Sequence, residues 1–553
     1  MRTHRNSWRA ASGNGFFRCT PVWGGLRRLV ATGGVLRAPI KARVFRPSPS
    51  PSLKGRGVLL GTLSLIAMGA GLICLGCNSD VGTLLPAEES GPAQAGNLTF
   101  VVRLAQVSDT HVMDTLSPAR FPGASVLVGS AWRPQEAYAT QILDGMVRTI
   151  NRIHASGRTI GFVLHTGDAC DNNQSNELGW LVGVLDGEMV NPLSGPDDRT
   201  ADARPDATHD PYAAFGAQGL YRRGVHGDQP SVPWYIVLGN HDAYALGAFP
   251  VFESSDGRRT APLPLDERPG IVLPVRMDPE ASFAYGNVTP AAPGPPALFE
   301  LPRYVVPNSE RRYFNKAEYV EKMFATVAGP PGHGFADALP GATWYSTVPA
   351  AGVRLIGLDT TAAAMHAEGG IYNEGALSWE QHEFLRAELD AAQARDELVI
   401  VATHHPSGDL SLAAGTAVFP DELRGLLRQC PNVVLHLVGH THRNRVTDQG
   451  GYLEIETCST LDWPQEGRLI EVWRDAAVGS VVVTYEMFSH LDESLPPLGA
   501  DPLHDLRRTA ADLARGGRSG SAPQKRDDSS ADNPAGAAAD RAGAATLSQG
   551  GVH

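Results

Sequence analysis

Short apolar runs of strand length alternate along the chain with longer stretches of helical periodicity. The runs that predict strands cover residues 100–107, 159–164, 234–238, 353–358, 398–402 and 433–438. Residues 135–155 carry Ile142, Met146, Ile150 and Ile153 at spacings of three or four, which predicts a helix with one buried face. Strands that alternate with helices in this way are typical of an α/β domain.

A second helix is predicted from its start signal. Ser378 is followed by Trp-Glu-Gln, so the serine would cap the helix and Gln381 would complete a capping box. Phe384, Leu385 and Leu389 would then line its inner face. Farther along, residues 451–487 contain β-rich runs and predict strands without helices.

The apolar pattern also sets the domain boundaries. Pro and Gly interrupt it over residues 243–341, which we interpret as an irregular insertion with one helix near residues 316–327. Whether this insertion covers a site is left open by the sequence. We assign residues 98–490 to one domain that includes the insertion, residues 78–97 to a linker, and the polar residues 491–553 to a disordered tail.

The N-terminal region has the charge order of a secretory segment. Residues 1–57 are rich in Arg, residues 58–76 are apolar and uncharged, and Cys77 follows. The Gly76–Cys77 junction resembles a bacterial lipobox, although Cys74 stands where that pattern usually has Leu. We expect a lipoprotein held by segment 58–77 in the cell envelope, outside the cytoplasm; the alternative is an uncleaved membrane anchor. Our hypothesis for residues 1–57 is a low-complexity extension that is not translated.

Charge narrows the range of partners. The 553 residues carry a formal net charge of −12, and the pI is about 5.8. An acidic surface disfavours duplex nucleic acid as a partner. It permits a small anion in a pocket that metal ions make positive. The oligomeric state is left open.

Side chains of metal-ligand type follow five of the predicted strands. In chain order they are Asp109 and His111; Asp168; Asn240, His241 and Asp242; His404 and His405; and His440 and His442. Ligands bind at the carboxyl ends of strands in α/β sheets, so we expect these side chains to meet. Imidazole and carboxylate ligands together suit Mn, Fe and Zn, and they are too many for one ion.

The five segments that contain these residues read SDTHV, TGDACDN, LGNHD, THHP and GHTH. In this order they resemble the motifs of the calcineurin-like metallophosphoesterase superfamily, each after a predicted strand. The block SDTHVMDTLSPAR further resembles an uncharacterised bacterial subfamily, and the layout is nearer to class III phosphodiesterases than to protein phosphatases. The resemblance implies an α/β fold, a four-layer αββα sandwich of two mixed sheets with flanking helices.

The resemblance also implies a role for each motif residue. Seven side chains would bind two divalent or trivalent ions: Asp109, His111 and His442 the first, Asn240, His404 and His440 the second, with Asp168 as the bridge. His241 would be a catalytic histidine that binds no metal, and Asp242 would orient its ring. His405 is the alternative to His404; we choose His404 because the family pattern His-x-Pro coordinates through its first histidine.

The activity implied is hydrolysis of a small phosphoester, in which a hydroxide that bridges the two ions attacks phosphorus in line. We predict a phosphodiesterase. One alternative is a phosphomonoesterase that acts on nucleotide or sugar phosphates. Another is a non-catalytic binding module on the same fold, which should lack ligands that this sequence retains.

Several polar residues near the motifs have two interpretations. Asp171 would either support the site or form a turn, and the sequence does not decide between them. His165 and His436 lie in apolar strands and are predicted to be structural. Arg120 and His366 are interpreted as loop residues rather than site residues.

Overall fold

A computed structural model describes most of the chain after residue 97. The described residues are 98–117, 133–194, 210–220, 232–253, 259–264, 272–277, 283–285, 302–304, 308–361, 373–410, 418–475, 477–516, 518–519, 522–523 and 533–548. The chain divides into the units Met1–Val81 and Gly82–His553, and the described residues belong to the second. The predicted extension, signal segment and linker, as well as Arg120 and His366, lie outside the described residues.

Each of the six apolar runs contains a strand. The strands are β1 Leu98–Val107, β2 Phe162–His165, β3 Met189–Val190, β4 Phe215–Gly216, β5 Trp234–Ile236, β6 Phe252–Glu253, β7 Arg259–Pro264, β8 Val272–Met277, β9 Phe283–Tyr285, β10 Pro302–Tyr304, β11 Tyr345–Ala350, β12 Val353–Gly357, β13 Leu398–Ala402, β14 Val433–Val438, β15 Arg445–Asp448, β16 Leu453–Glu456, β17 Glu466–Asp475, β18 Ser480–Ser489, β19 Arg518–Ser519, β20 Ala522–Pro523 and β21 Ala542–Ser548. The helices are α1 Ala139–Ala155, α2 Ser175–Asp186, α3 Asn240–Ala243, α4 Lys316–Phe324, α5 Trp379–Ala394, α6 Pro420–Gln429, α7 His504–Gly516 and α8 Ala538–Arg541. Within the part of the chain that the structure describes, no helix has both the length and the apolar character needed to cross a bilayer.

Two six-stranded mixed sheets form the centre of the domain. The first has the order β21-β18-β17-β1-β2-β5, in which β1, β2 and β5 run parallel. The second has the order β11-β12-β13-β14-β16-β15, in which β12, β13, β14 and β16 run parallel. Antiparallel strands extend the first sheet on the β1 side and close both edges of the second.

Alternation of side chains across the second sheet explains how the layers pack. Leu355, Ile400 and Leu435 belong to an apolar core that they share with β1, β2 and α1. Their neighbours Ile356 and Val401 belong to a second core with α5 and α6. Because successive residues of a strand face opposite sides, one face of this sheet meets the first sheet and the other meets helices. The predicted four-layer αββα sandwich is confirmed.

The two helices predicted from their sequence patterns are confirmed. In α1 the whole predicted apolar stripe is buried. Ser378 caps α5 by accepting a hydrogen bond from the backbone N–H of Gln381. The capping-box prediction is wrong in its second half. The Gln381 side chain bonds instead to the backbone N–H and carbonyl of Asp359, at the end of β12.

The predicted insertion 243–341 is less irregular than we expected. Its helix is present as α4, and short antiparallel strands β6–β8 and β9–β10 lie in its described part. A buried ion pair connects it to the domain, because Arg311 Nε lies 2.9 Å from Asp114 Oδ2. Asp114 lies three residues after His111, so the insertion is anchored beside the predicted site.

The prediction of a disordered tail over residues 491–553 is wrong for its described parts. Helix α7 belongs to the larger core, in which Leu506 and Ala510 are buried. Strand β21 adds an edge to the first sheet by pairing with β18. The prediction from composition was wrong here because β21, with the sequence AGAATLS, has few large apolar side chains. Backbone hydrogen bonds to a neighbouring strand order it instead.

Candidate metal centre

The seven predicted ligands all follow parallel strands, and the fold brings them together. Strands β1, β2 and β5 of the first sheet and β13 and β14 of the second end just before Asp109, His111, Asp168, Asn240, His404, His440 and His442. Gln106 in β1 donates a 3.0 Å hydrogen bond to the carbonyl of Val438 in β14. This contact joins the two sheets directly before their ligand loops.

The backbone is strained at five of these positions. Asp109, His111, Asp168, His440 and His442 have φ values of 50°, 42°, 54°, 69° and 56°. Residues other than glycine uncommonly occupy this left-handed region. Such strain clusters at functional sites, where the surrounding structure maintains it. The surrounding structure therefore holds the ligand loops in backbone conformations that are unfavourable for these residues.

The first ligand group consists of Asp109, His111 and His442. Their donor atoms lie within 4.8 Å of one another. His442 Nε2 is 3.2 Å from Asp109 Oδ1 and 3.1 Å from His111 Nε2. Two imidazole nitrogens and one carboxylate oxygen thus point at a common position, as the predicted ligand set for the first ion requires.

The second ligand group consists of Asn240, His404 and His440. Asn240 Oδ1 lies 3.0 Å from His404 Nε2 and 3.1 Å from His440 Nδ1. Asp168 stands between the groups, because its Oδ2 is 3.2 Å from His404 Nε2 and 3.8 Å from His111 Nε2. This is the position that a bridging carboxylate would need.

His404 and His405 differ in what their rings contact. His404 Nε2 faces Asp168 and Asn240, as described above. His405 is also buried, but its Nδ1 lies 2.7 Å from Thr360 Oγ1 at the end of β12. His405 Nε2 is buried without a hydrogen-bond partner among the described residues, and His405 forms a candidate metal group with His404 and His440, so both histidines remain candidate ligands of the second group. His165 and His436, predicted to be structural, hydrogen-bond to Thr110 and Glu454 instead of joining either group.

The residues present fit metal ions. Asp109 Oδ1 is buried and has no hydrogen-bond partner among the described residues, yet imidazole nitrogens of His442, His111 and His404 lie 3.2–4.0 Å from it. Burial lowers the pKa of His404, but the nearby Asp168 carboxylate has the opposite effect. The net result is a pKa raised to about 9. The carboxylates therefore attract positive charge strongly at this point. Imidazole, carboxylate and amide donors in these numbers match a pair of transition-metal ions.

His241 lies beside the ligand groups and is held by contacts that the sequence did not reveal. Its backbone N–H donates to Asp168 Oδ1 at 2.8 Å, and its ring Nδ1 lies 2.7 Å from the carbonyl oxygen of Asp171. The expectation that Asp242 orients this ring is wrong. Asp242 accepts hydrogen bonds from the backbone N–H groups of Cys170 and Gly239, so it fixes the two loops around Asp168.

Two further carboxylates stand behind the first group. Asp171 Oδ1 is 3.0 Å from His111 Nδ1, without the alignment of a hydrogen bond, and this closeness favours electrostatic support for the site over a turn. Asp462 Oδ2 is 2.8 Å from His442 Nδ1 and was not singled out from the sequence. Asp462 follows β16, a parallel strand, so the strand-end rule that found the ligands would have found it as well.

The first residues of the insertion complete the second group. The Asn240 amide donates from Nδ2 to the carbonyl of Gly247 at 2.8 Å, which turns its Oδ1 toward His404 and His440. Gly247 has a φ of +68°, and the space beside its Cα is filled by the ring of His241. A glycine is required here both for the backbone conformation and for the close approach.

Replacing Gly247 by Ala is expected to weaken metal binding. The new Cβ would lie 2.1 Å from His241 Cδ2 and 2.7 Å from Asn240 Nδ2, so these side chains must move. We expect affinity for the second ion to fall about 10- to 100-fold, measured by titration with Mn²⁺. Gly352→Ala is the matched control, because Gly352 has a φ of +73° and open space around it. Equal metal affinities in both variants would contradict the assigned role of Gly247.

Comparison with known proteins agrees with this geometry. Residues 102–287 match the family described as calcineurin-like phosphoesterase. That segment contains the first three motifs, while the THHP and GHTH motifs lie beyond it and join the site through the second sheet. No curated protein matches the sequence.

Two solved structures resemble the chain. A dimetal phosphatase from Danio rerio is 12% identical, with 71% of this chain and 98% of that chain covered and a TM-score of 0.36. A putative 5'-nucleotidase from Staphylococcus aureus is 14% identical, with 74% of this chain and 57% of that chain covered and a TM-score of 0.30. Residues 102–287 of this chain are therefore similar to the calcineurin-like phosphoesterase family, and the described residues hold groups of side chains that could bind metal ions.

Proposed function

We propose that this protein is a phosphoester hydrolase, specifically a phosphodiesterase, that works with two transition-metal ions, Mn, Fe or Zn. The position of Asp168 Oδ2 carries the proposal of two ions, because that oxygen lies between His111 of the first group and His404 of the second. The preference for a diester over a monoester is supported by the charged side chains around the site.

Ions at the two groups would supply Lewis-acid charge and a water of lowered pKa. The chain itself fixes the donors that face them. Asn240 is held by Gly247, and His404 Nδ1 lies 2.8 Å from the carbonyl of Thr166, so Nε2 is presented to the site. Donors fixed before the substrate arrives need no reorganisation during the reaction, which favours catalysis.

His241 is the group best placed to move a proton. A carbonyl oxygen only accepts, so the contact with Asp171 O keeps a proton on His241 Nδ1. The other nitrogen, Nε2, is thereby free to hold the proton that the departing alkoxide needs. This arrangement supports the role of His241 as general acid toward the leaving-group oxygen.

The charge of the site supports a diester. A phosphodiester carries one negative charge, whereas a monoester near neutral pH carries up to two. Arg133 stands behind the first group, but its guanidinium already pairs with Asp171 and Asp462. Lys316 likewise pairs with Asp359. Because these two cations of the described residues are committed to carboxylates, less positive charge is left for the second charge of a monoester, which favours the singly charged diester.

The substrate class is tested with bis-p-nitrophenyl phosphate and p-nitrophenyl phosphate. Metal-free protein is expected to be inactive and to gain activity on addition of Mn²⁺, Fe²⁺ or Zn²⁺, with a higher kcat/KM for the diester. Asn240→Ala is the control, since it removes one donor of the second group. A marked preference for the monoester would replace the diester proposal by a phosphomonoesterase. Failure of the protein to bind metal or turn over either ester would favour a binding module.

His241→Gln is expected to separate proton transfer from metal binding. Loss of the imidazole should lower kcat about 100- to 10,000-fold for an alkyl phosphodiester, whose leaving group needs a proton. The loss should be smaller for a p-nitrophenyl leaving group, and bound metal, measured by elemental analysis, should stay at the wild-type value. A parallel loss of metal would show that His241 is a ligand.

We further propose that the protein is lipid-anchored at Cys77 in the cell envelope, outside the cytoplasm. The order of basic, apolar and cysteine residues over 1–77 supports this. The full chain expressed in bacteria should incorporate labelled palmitate and sediment with membranes, and Cys77→Ala should not be labelled. An uncleaved anchor would give a different result. The wild type would not be labelled, and the Cys77→Ala protein would keep its full length and stay with the membranes.

A further inference from the structure

A buried arginine connects the two carboxylates behind the first ligand group. Arg133 is 2% exposed. Its Nε lies 3.1 Å from Asp462 Oδ2, and its Nη1 lies 2.9 Å from Asp171 Oδ1. Each of those two oxygens also contacts a histidine of the first group: Asp462 contacts His442, and Asp171 contacts His111. One guanidinium therefore joins the supports of both imidazoles.

A carboxylate beside the Nδ1 of a histidine affects how that histidine can bind a metal ion. An imidazole that donates its Nδ1 proton to a carboxylate keeps Nε2 free of a proton and able to bind metal. His442 makes this contact with Asp462, whereas His111 Nδ1 lies 3.0 Å from Asp171 Oδ1 without the alignment of a hydrogen bond. The carboxylate also fixes the plane of the ring. In the first group the two Nε2 atoms approach to 3.1 Å, so a small rotation of either ring would change the cavity offered to an ion.

Two buried carboxylates this close require compensation for their charge. Burial by itself raises the pKa of Asp462, but Arg133 and His442 hold it below the usual value for an aspartate. A guanidinium is suited to this task, because its planar fork contacts two acceptors at fixed separation. An ammonium group in the same place would present a single point of charge.

Neighbouring residues fix the arginine and one of its partners. The backbone N–H of Arg133 donates to Glu136 Oε2 at 2.8 Å, at the start of the turn that leads into α1. Gln135 Nε2 donates to Asp462 Oδ1 at 2.8 Å, so both oxygens of Asp462 are engaged. The segment before α1 and the loop after β16 are thereby locked together behind the site.

The second ligand group is supported in a different way. His404 Nδ1 faces the backbone carbonyl of Thr166, and His440 faces the group through Nδ1 rather than Nε2. Arg133 therefore acts on the first group through its two carboxylates. Any effect of this arginine on metal binding should fall unequally on the two ions.

We propose that Arg133 is a positioning residue that, through Asp171 and Asp462, sets the orientation of His111 and His442 and so determines occupancy of the first metal position. This inference rests on the proposed two-metal centre. In this proposal Arg133 is not a metal ligand and does not act on the substrate directly. It acts on the reaction only by keeping two imidazoles at the spacing that one ion needs.

The test compares Mn²⁺ binding to wild-type protein and to Arg133→Gln by calorimetric titration and electron paramagnetic resonance. We expect one ion to bind about 10- to 100-fold more weakly in the variant and the other to keep its affinity. The spectrum of a coupled manganese pair should give way to that of a single ion at matched loading. Arg133→Lys, which keeps the charge but loses the fork, should recover only part of the affinity.

Arg354→Gln is the matched control for loss of a poorly exposed arginine. Arg354 pairs with Glu397 at 2.6 Å near the start of β12, at the opposite end of that strand from the ligand loops. This variant is expected to lose thermal stability, because Glu397 loses its partner, but it should bind both ions as wild type does. If Arg133→Gln does not fold, Asp462→Asn tests the same connection, since it keeps the side-chain size and removes the charge that supports His442.

The outcomes separate this inference from the proposed function. If wild-type protein binds two ions and hydrolyses phosphoesters, while Arg133→Gln or Asp462→Asn binds both ions with unchanged affinity, the positioning role is refuted and the enzyme assignment stands. Equal weakening of both ions in step with a loss of stability would also refute it, because that pattern reports only a structural role. If the wild-type protein binds no transition metal, the proposed two-metal centre itself is wrong.

Discussion

Charge compensation at one buried point is the constraint on which this structure depends. The carboxylates of Asp109 and Asp168 lie closed off from solvent, with imidazole nitrogens within 3.2–4.0 Å of them. A buried carboxylate without a cation or a full set of donors is costly, so the site is stable only with positive charge in it. Loops from both sheets supply the donors, so the sandwich must be assembled before ions can bind with full affinity.

The same constraint explains how the loops are supported. Five ligand positions have left-handed backbone conformations, which the surrounding structure has to maintain. Behind the last of them, Asn444 N–H donates to the carbonyl of Pro534, and Arg468 donates to the carbonyl of Asp540. The C-terminal segment 533–548 thus braces the loop that carries His440 and His442, although its composition suggested no fold at all.

The two ligand groups are alike in donor type and different in support. In the first, carboxylates stand behind His111 and His442, and Arg133 joins these carboxylates. In the second, a backbone carbonyl stands behind His404, and the insertion holds Asn240 through Gly247. A carboxylate makes an imidazole a stronger donor than a carbonyl does, so two ions of the same element would experience different fields.

The sequence by itself determined the strands, the main helices and the residues that form the ligand groups, because apolar periodicity and residue type are local properties. The resemblance to a known family separated His440 from His442, and the structure places these rings in different groups. Only the tertiary structure decided that Asp171 rather than Asp242 holds His241, and that Arg133 and Asp462 stand behind the first group. It also decided that β21 is ordered, since such contacts join residues up to hundreds of positions apart and depend on how the two sheets pack.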